Sequence, residues 1–167
     1  MAELGQRVRG PARIYLTGGG TAVLEGWRGM TIDLDLKAVP EPPGFYEAIA
    51  ELKESIDINV ELASPDDFIP ALPGWQERSP FIARHGPVEF HHFDLYSQAL
   101  SKIERGHTRD LSDVQAMFQR GRIEPRRLAE LFRAIEPELI RYPAIEPAVF
   151  REAVFAVCAA HGHGDAR

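Results

Sequence analysis

The sequence predicts an α+β protein: a short mixed β-sheet with flanking helices over residues 1–93, then a C-terminal helical bundle over residues 94–167 packed on that core. Three features predict it. Short segments in the first half alternate strictly between apolar and polar residues, the period of a strand with one buried face. Glycine- and proline-rich loops separate those segments from stretches of helical period. From Asp94 onward apolar residues recur almost only at helical spacing, with short loops between the runs.

Taken in order, residues 13–17 (RIYLT) read as a strand, broken by Gly18, Gly19 and Gly20. A helix follows over 21–27, where Ala22, Val23 and Trp27 fall at helical spacing. Residues 31–37 (TIDLDLK) put Ile32, Leu34 and Leu36 on one face and Asp33 and Asp35 on the other. A proline-rich turn leads to an amphipathic helix over 45–54, with Phe45, Ala48, Ile49 and Leu52 on one side. Residues 57–62 alternate again, Ile58, Val60 and Leu62 against Asp57, Asn59 and Glu61. Ser64-Pro65-Asp66-Asp67 has the form of a helix start, which Pro70 and Pro73 limit to a turn or two. Residues 81–84 and 88–93 pair as a hairpin around His85-Gly86-Pro87. Helices are then expected over 95–104 with Asp94 as cap, 110–120 ending at Gly121, 125–135 and 147–160.

The chain has 167 residues, 44% of them hydrophobic and 26% charged, which suits a packed core. A net charge of -6 argues against broad, non-specific nucleic-acid binding and leaves a local basic groove open. The single cysteine, Cys158, excludes an internal disulfide and reads as a packed small residue. No apolar run suffices to span a membrane, and MAELGQRVRG lacks the apolar stretch of a signal peptide. A cytoplasmic protein with no membrane partner is therefore expected.

Two stretches carry the chemistry. Asp33 and Asp35 lie two apart on a strand and so project from one face, where paired carboxylates suit Mg²⁺ or Mn²⁺. Such a pair also reads as a solvated face. Gly18-Gly19-Gly20, between strand and helix, lets backbone approach a phosphate closely, with the free N–H groups of a helix start beside it. It lacks the Lys-Ser/Thr of a P-loop and the order of a dinucleotide-binding loop, and it also reads as a tight turn. Glu61 shares strand phase with Asp35; on an adjacent strand it completes a trio whose mutual repulsion calls for cations.

Strand, Gly-Gly, helix, a strand with D-x-D, then a later strand with one acid: this order resembles the DNA polymerase β-type nucleotidyltransferase superfamily. The segment LTGGGTAVLEGWRGMTIDLDLK is similar to small bacterial nucleotidyltransferase-like proteins of the DUF6036 kind, and to the abortive-infection AbiEii toxins with their G-G…R…T-x-D-x-D pattern. Here those positions are Gly18, Gly19, Arg28, Thr31, Asp33 and Asp35. In FDLYSQALSKIERGHTRDLSDVQAM, Lys102, Arg109, Asp110 and Asp113 match a helical lysine and an R-D-x-x-D stretch, so the resemblance covers residues 13–120.

The resemblance implies a minimal nucleotidyltransferase core and a metal-dependent transfer of a nucleoside monophosphate from a nucleoside triphosphate to a hydroxyl of RNA, protein or a small molecule. In this implied site Asp33, Asp35 and Glu61 hold Mg²⁺ or Mn²⁺, and Glu61 activates the acceptor. Gly18, Gly19, Thr21 and Arg28 contact the nucleotide, and Lys102 neutralises phosphate charge. A cognate toxin or antitoxin partner is implied too, and so is the alternative of a catalytically silent module that works by binding protein.

The remaining candidates each have a plain structural reading. His91 and His92 are adjacent on a strand and point to opposite faces, so with His85 they read as hairpin histidines rather than zinc ligands. Lys102 also reads as a solvent-facing helical lysine, and Asp110 and Asp113 as acids at a helix start with Thr108 as cap. Arg120, Arg122, Arg126, Arg127 and Arg133 form the one basic concentration. It suits a nucleic-acid acceptor, or a solvated helix surface interspersed with Glu124, Glu130 and Glu136. Trp75 suits a base or a loop anchor.

Overall fold

The structure is a computed structural model that describes residues 1–56 and 58–162. The fold is α+β, and the chain divides into two compact units. The first comprises Met1–Ser64 and Ser79–Phe93, the second Pro65–Arg78 and everything from Asp94 onward. The boundary after Phe93 is where the texture of the sequence changes. The Pro65–Arg78 stretch, expected with the first part, groups with the helices.

The first unit holds α1 (Ala2–Arg7), β1 (Ala12–Thr17), α2 (Gly18–Leu24), β2 (Asp33–Val39), α3 (Phe45–Ile56), β3 (Asn59–Glu61), β4 (Phe81–His85) and β5 (Val88–His92). Its five strands form one mixed sheet in the order β3-β2-β1-β5-β4. The pairings are mixed: β1 is antiparallel to β2 and parallel to β5, β2 is parallel to β3, and β4 is antiparallel to β5. The hairpin β4–β5 turns through Gly86, whose φ of 59° is the left-handed region that favours glycine.

Alternation sorts the strand residues onto two faces. Ile14, Leu16, Leu36, Val60, Val88 and Phe90 point to one side and pack against Leu4, Val8 and the apolar stripe of α3, Phe45, Ala48, Ile49 and Leu52. The pattern fails at the strand ends. Ile32 is 66% exposed and Leu62 46% exposed, because β2 begins at Asp33 and β3 ends at Glu61. Outside the ladder, strand parity no longer dictates where a side chain points. Asp57 lies outside the described residues.

Two elements differ from expectation. Gly18, Gly19 and Gly20 do not break the chain before a helix; they are the first turn of α2 itself. α1, six residues long, is too short for periodicity to reveal.

The second unit holds α4 (Leu95–Arg105), α5 (Thr108–Gln119), α6 (Pro125–Ile135) and α7 (Pro147–His161), with 3-10 turns at Pro65–Asp67 and Glu136–Arg141. The helix start expected after Ser64 is only the first of those turns. Asp94 caps α4 as expected: its carboxylate accepts from the Ser97 N–H at 3.2 Å and the Ser97 hydroxyl at 2.7 Å. It also accepts from Arg78 at 3.2 and 2.9 Å, which ties the Pro65–Arg78 stretch to α4. Helix α5 starts earlier than expected. His107 is its N-cap without a side-chain cap bond, and Thr108 is its first helical residue rather than its cap. Leu100, Met117, Leu128, Phe132, Ile135 and Val154 form the buried centre.

Candidate functional site

The polar face of the sheet gathers the acidic residues singled out above. β1 ends at Thr17, opposite Asp35 of β2, and Asp35 lies opposite Glu61 of β3. One rung away, Asp33 lies opposite Asn59. Neighbouring strands are about 4.8 Å apart and residues two apart on a strand about 6.7 Å, so Asp33, Asp35 and Glu61 rise from one small patch. Asp33 and Glu61 are exposed and Asp35 is half-buried, so the patch opens to solvent.

The glycines explain how α2 comes so close to it. A Cβ on Gly18 would lie 2.6 Å from Asp35 Oδ2, and Gly18 also has a φ of 58°. A Cβ on Gly19 would drive into the Thr31 side chain, and one on Gly20 would lie 2.6 Å from Leu34 Cδ1. The missing side chains let the first turn of α2 pack directly against Thr31, Leu34 and Asp35. The Thr31 hydroxyl donates to the Asp33 carbonyl at 2.9 Å and accepts from the Asp33 N–H at 3.2 Å. That bond pair fixes where β2 begins and thereby where Asp33 points.

Thr21 has a different place from the one implied. It is fully buried; its hydroxyl donates to the Leu16 carbonyl at 2.9 Å and meets His92 Nδ1 at 3.1 Å. The other ring nitrogen of His92 stands 3.4 Å from Glu25. Thr21, His92 and Glu25 thus fasten α2 to β1 and β5. Arg28 is half-buried in the turn after α2, its N–H bonded to the Ala22 carbonyl at 3.1 Å.

Asn59 belongs to the patch and was given no role by sequence reasoning. Its side-chain nitrogen donates to Asp33 Oδ1 at 3.2 Å and to Glu61 Oε1 at 3.0 Å. Strand parity did place it beside Glu61, which was the available signal. Among the described residues no group of three or more His, Cys, Asp and Glu side chains is arranged to hold a metal ion. Asp33, Asp35 and Glu61 supply carboxylate oxygens, the donor type a hard divalent cation takes, with the Asn59 amide between two of them.

Lys102 lies in the second unit, on α4. It is 4% exposed rather than solvent-facing. Its ammonium donates to Asp110 at 3.0 Å and to Asp113 at 2.6 Å, and Arg105 donates to Asp110 at 2.9 Å. Two cations and two carboxylates balance there. Burial alone would raise the Asp110 carboxyl; Lys102 and Arg105 outweigh it and hold its pKa below the ordinary value. Asp110 and Asp113 therefore bind the lysine rather than merely decorating a helix start.

The other candidates separate. His91 meets the Ser79 carbonyl and the rings of Tyr15 and Phe81, on the opposite face from His92. Arg126 and Arg127 pair with Glu130, and Arg133 lies over the Phe155 ring. Trp75 sits half-buried in a turn. No helix among the described residues is long and apolar enough to cross a membrane. Comparison with protein-family models, curated proteins and solved structures finds no match to this chain.

Proposed function

We propose that the chain is a metal-dependent nucleotidyltransferase of the polymerase β type, moving a nucleoside monophosphate from a nucleoside triphosphate to a hydroxyl of RNA, protein or a small molecule. The observation that supports this most is the register that sets Asp35 beside Glu61, with Asp33 one rung away, next to the side-chain-free turn at Gly18 and Gly19. Those glycines let backbone N–H groups approach phosphate oxygens. Asp33 and Asp35 would hold Mg²⁺ or Mn²⁺, and Glu61 would complete the set and accept the proton of the acceptor hydroxyl. When bound, the cation supplies charge stabilisation to an in-line displacement, with pyrophosphate leaving. Arg28 is the cation of this unit that the motif pairs with the nucleotide. Lys102 is left out, its charge being met by Asp110 and Asp113. A toxin–antitoxin or phage-defence setting rests on the resemblance.

A second reading has its own support. Asn59 occupies the space between Asp33 and Glu61, which suits a catalytically silent module that binds a partner protein. Thermal unfolding with each nucleoside triphosphate and Mg²⁺ or Mn²⁺ separates the two. The enzyme reading expects metal-dependent stabilisation that disappears in Asp33→Asn/Asp35→Asn, followed by transfer of labelled nucleotide to RNA or protein. Absence of any response to triphosphate leaves the binding module.

A further inference from the structure

We propose that the second unit carries a nucleotide-binding cavity of its own, which takes a base against the Phe118–His161 ring pair and a phosphate at Arg126. The cavity measures about 680 Å³, within the range of sites for small organic ligands, and Phe118, Ile123, Glu124, Arg126 and His161 line it. All five belong to one compact unit, so the site stands apart from the metal-dependent reading above. Phe118 comes from the last turn of α5 and His161 from the last turn of α7. Their rings stack with centroids 4.4 Å apart and planes 17° from parallel. His161 Nδ1 stands 2.9 Å from the Val157 carbonyl, which only accepts, so that nitrogen carries the hydrogen and the ring plane is fixed. The aromatic platform is therefore set before any ligand arrives. Ile123, 2% exposed, adds an apolar contact.

The polar groups on the wall select the ligand. A planar ring extends the aromatic stack, and stacking by itself accepts any base. The Glu124 carboxylate accepts from an exocyclic amino group. The Arg126 guanidinium matches phosphate oxygens in shape and charge. Ring, amino donor and anion together are the chemistry of a nucleotide. Arg126 turns to the phosphate at little cost. Its side chain is 92% exposed, its pair with Glu130 is a surface one at 3.2 Å, and Arg127 keeps Glu130 paired at 3.1 Å. Arg126 also belongs to the arginine concentration that suits nucleic acid. A free nucleotide and the end of a single strand offer the same groups.

Calorimetric titration of the full chain with AMP in EDTA, where a metal-dependent site is silent, tests this. The native chain and Asp33→Asn/Asp35→Asn should bind AMP equally. Arg126→Ala, at an exposed position, should weaken AMP about tenfold and leave adenosine binding unchanged. His161→Ala should weaken both about tenfold. His161→Phe, which keeps a ring, should bind both nearly as the native chain does, and it covers the case in which the alanine variant fails to fold. Arg127→Ala, one residue further along α6, should change neither. A single-stranded adenylate oligonucleotide that binds about tenfold more tightly than AMP, with the same losses, identifies the strand end as the ligand; equal or weaker binding identifies the free nucleotide. A native chain that binds neither probe overturns the site, as does an equal loss in Arg126→Ala and Arg127→Ala. AMP binding that disappears in Asp33→Asn/Asp35→Asn overturns it too, and leaves the metal-dependent reading standing.

Discussion

At the scale of the residue, burial decides what a charge can do. Lys102, singled out for phosphate, donates to Asp110 and Asp113 inside the second unit, where a lone ammonium would be costly. Lys102→Met takes the buried ammonium away from both carboxylates, with Arg105 still on Asp110, and should lower stability in urea by about 3–5 kcal/mol near neutral pH. The deficit should shrink in acid. Asp110 has a folded pKa below its ordinary 3.8, so its contribution is complete above that value and is lost as pH falls through the lower folded value. Once Asp110 is protonated its pairing is gone in native and variant alike, so the gap between their urea curves should narrow as pH falls below 3.8. A deficit independent of pH would show that the lysine matters through packing instead.

Among the elements, β2 joins core and site in one strand. Its even positions carry the apolar side, its odd positions Asp33 and Asp35. Leu36 is 1% exposed at the centre of that side, and Leu36→Ala should cost about 2–5 kcal/mol in denaturant unfolding. Ile32, which alternation assigns to the same side, is 66% exposed just ahead of the strand, and Ile32→Ala should stay within about 0.5 kcal/mol. Equal costs would place the start of β2 one residue earlier. The partner strand β3 has only three rungs, two of which carry site residues, so the patch sits at the least extensive pairing of the sheet.

On the scale of the whole molecule, the chain visits each unit twice. Pro65–Arg78 enters the helical unit, residues 79–93 return to the sheet as the hairpin, and Asp94 opens the helical unit again. Within that unit Arg78 and Asp94 tie the two visits together, with Asp94 1% exposed. Arg78→Ala leaves that carboxylate with its cap bonds only. Hydrogen exchange at the first turn of α4 should quicken about tenfold, while Arg126→Ala, whose side chain is 92% exposed, leaves the helical amides unchanged. Unchanged exchange in the Arg78 variant would make the pair incidental.

Much of this was local and therefore readable. Strict alternation marked β2 and β3, Asp94 and the proline starts marked α4, α6 and α7, and strand parity put Asp33 and Asp35 on one side. Those features depend on backbone period and on caps, which neighbours in sequence determine. Only the tertiary structure could decide that β3 lies beside β2, that Asn59 reaches both Asp33 and Glu61, and that Thr21 is spent on Leu16 and His92. It also decided that Lys102 meets Asp110 and Asp113. Each is a meeting across a turn or a crossover, and such meetings are set by how buried faces fit together, a property that no single stretch of sequence carries.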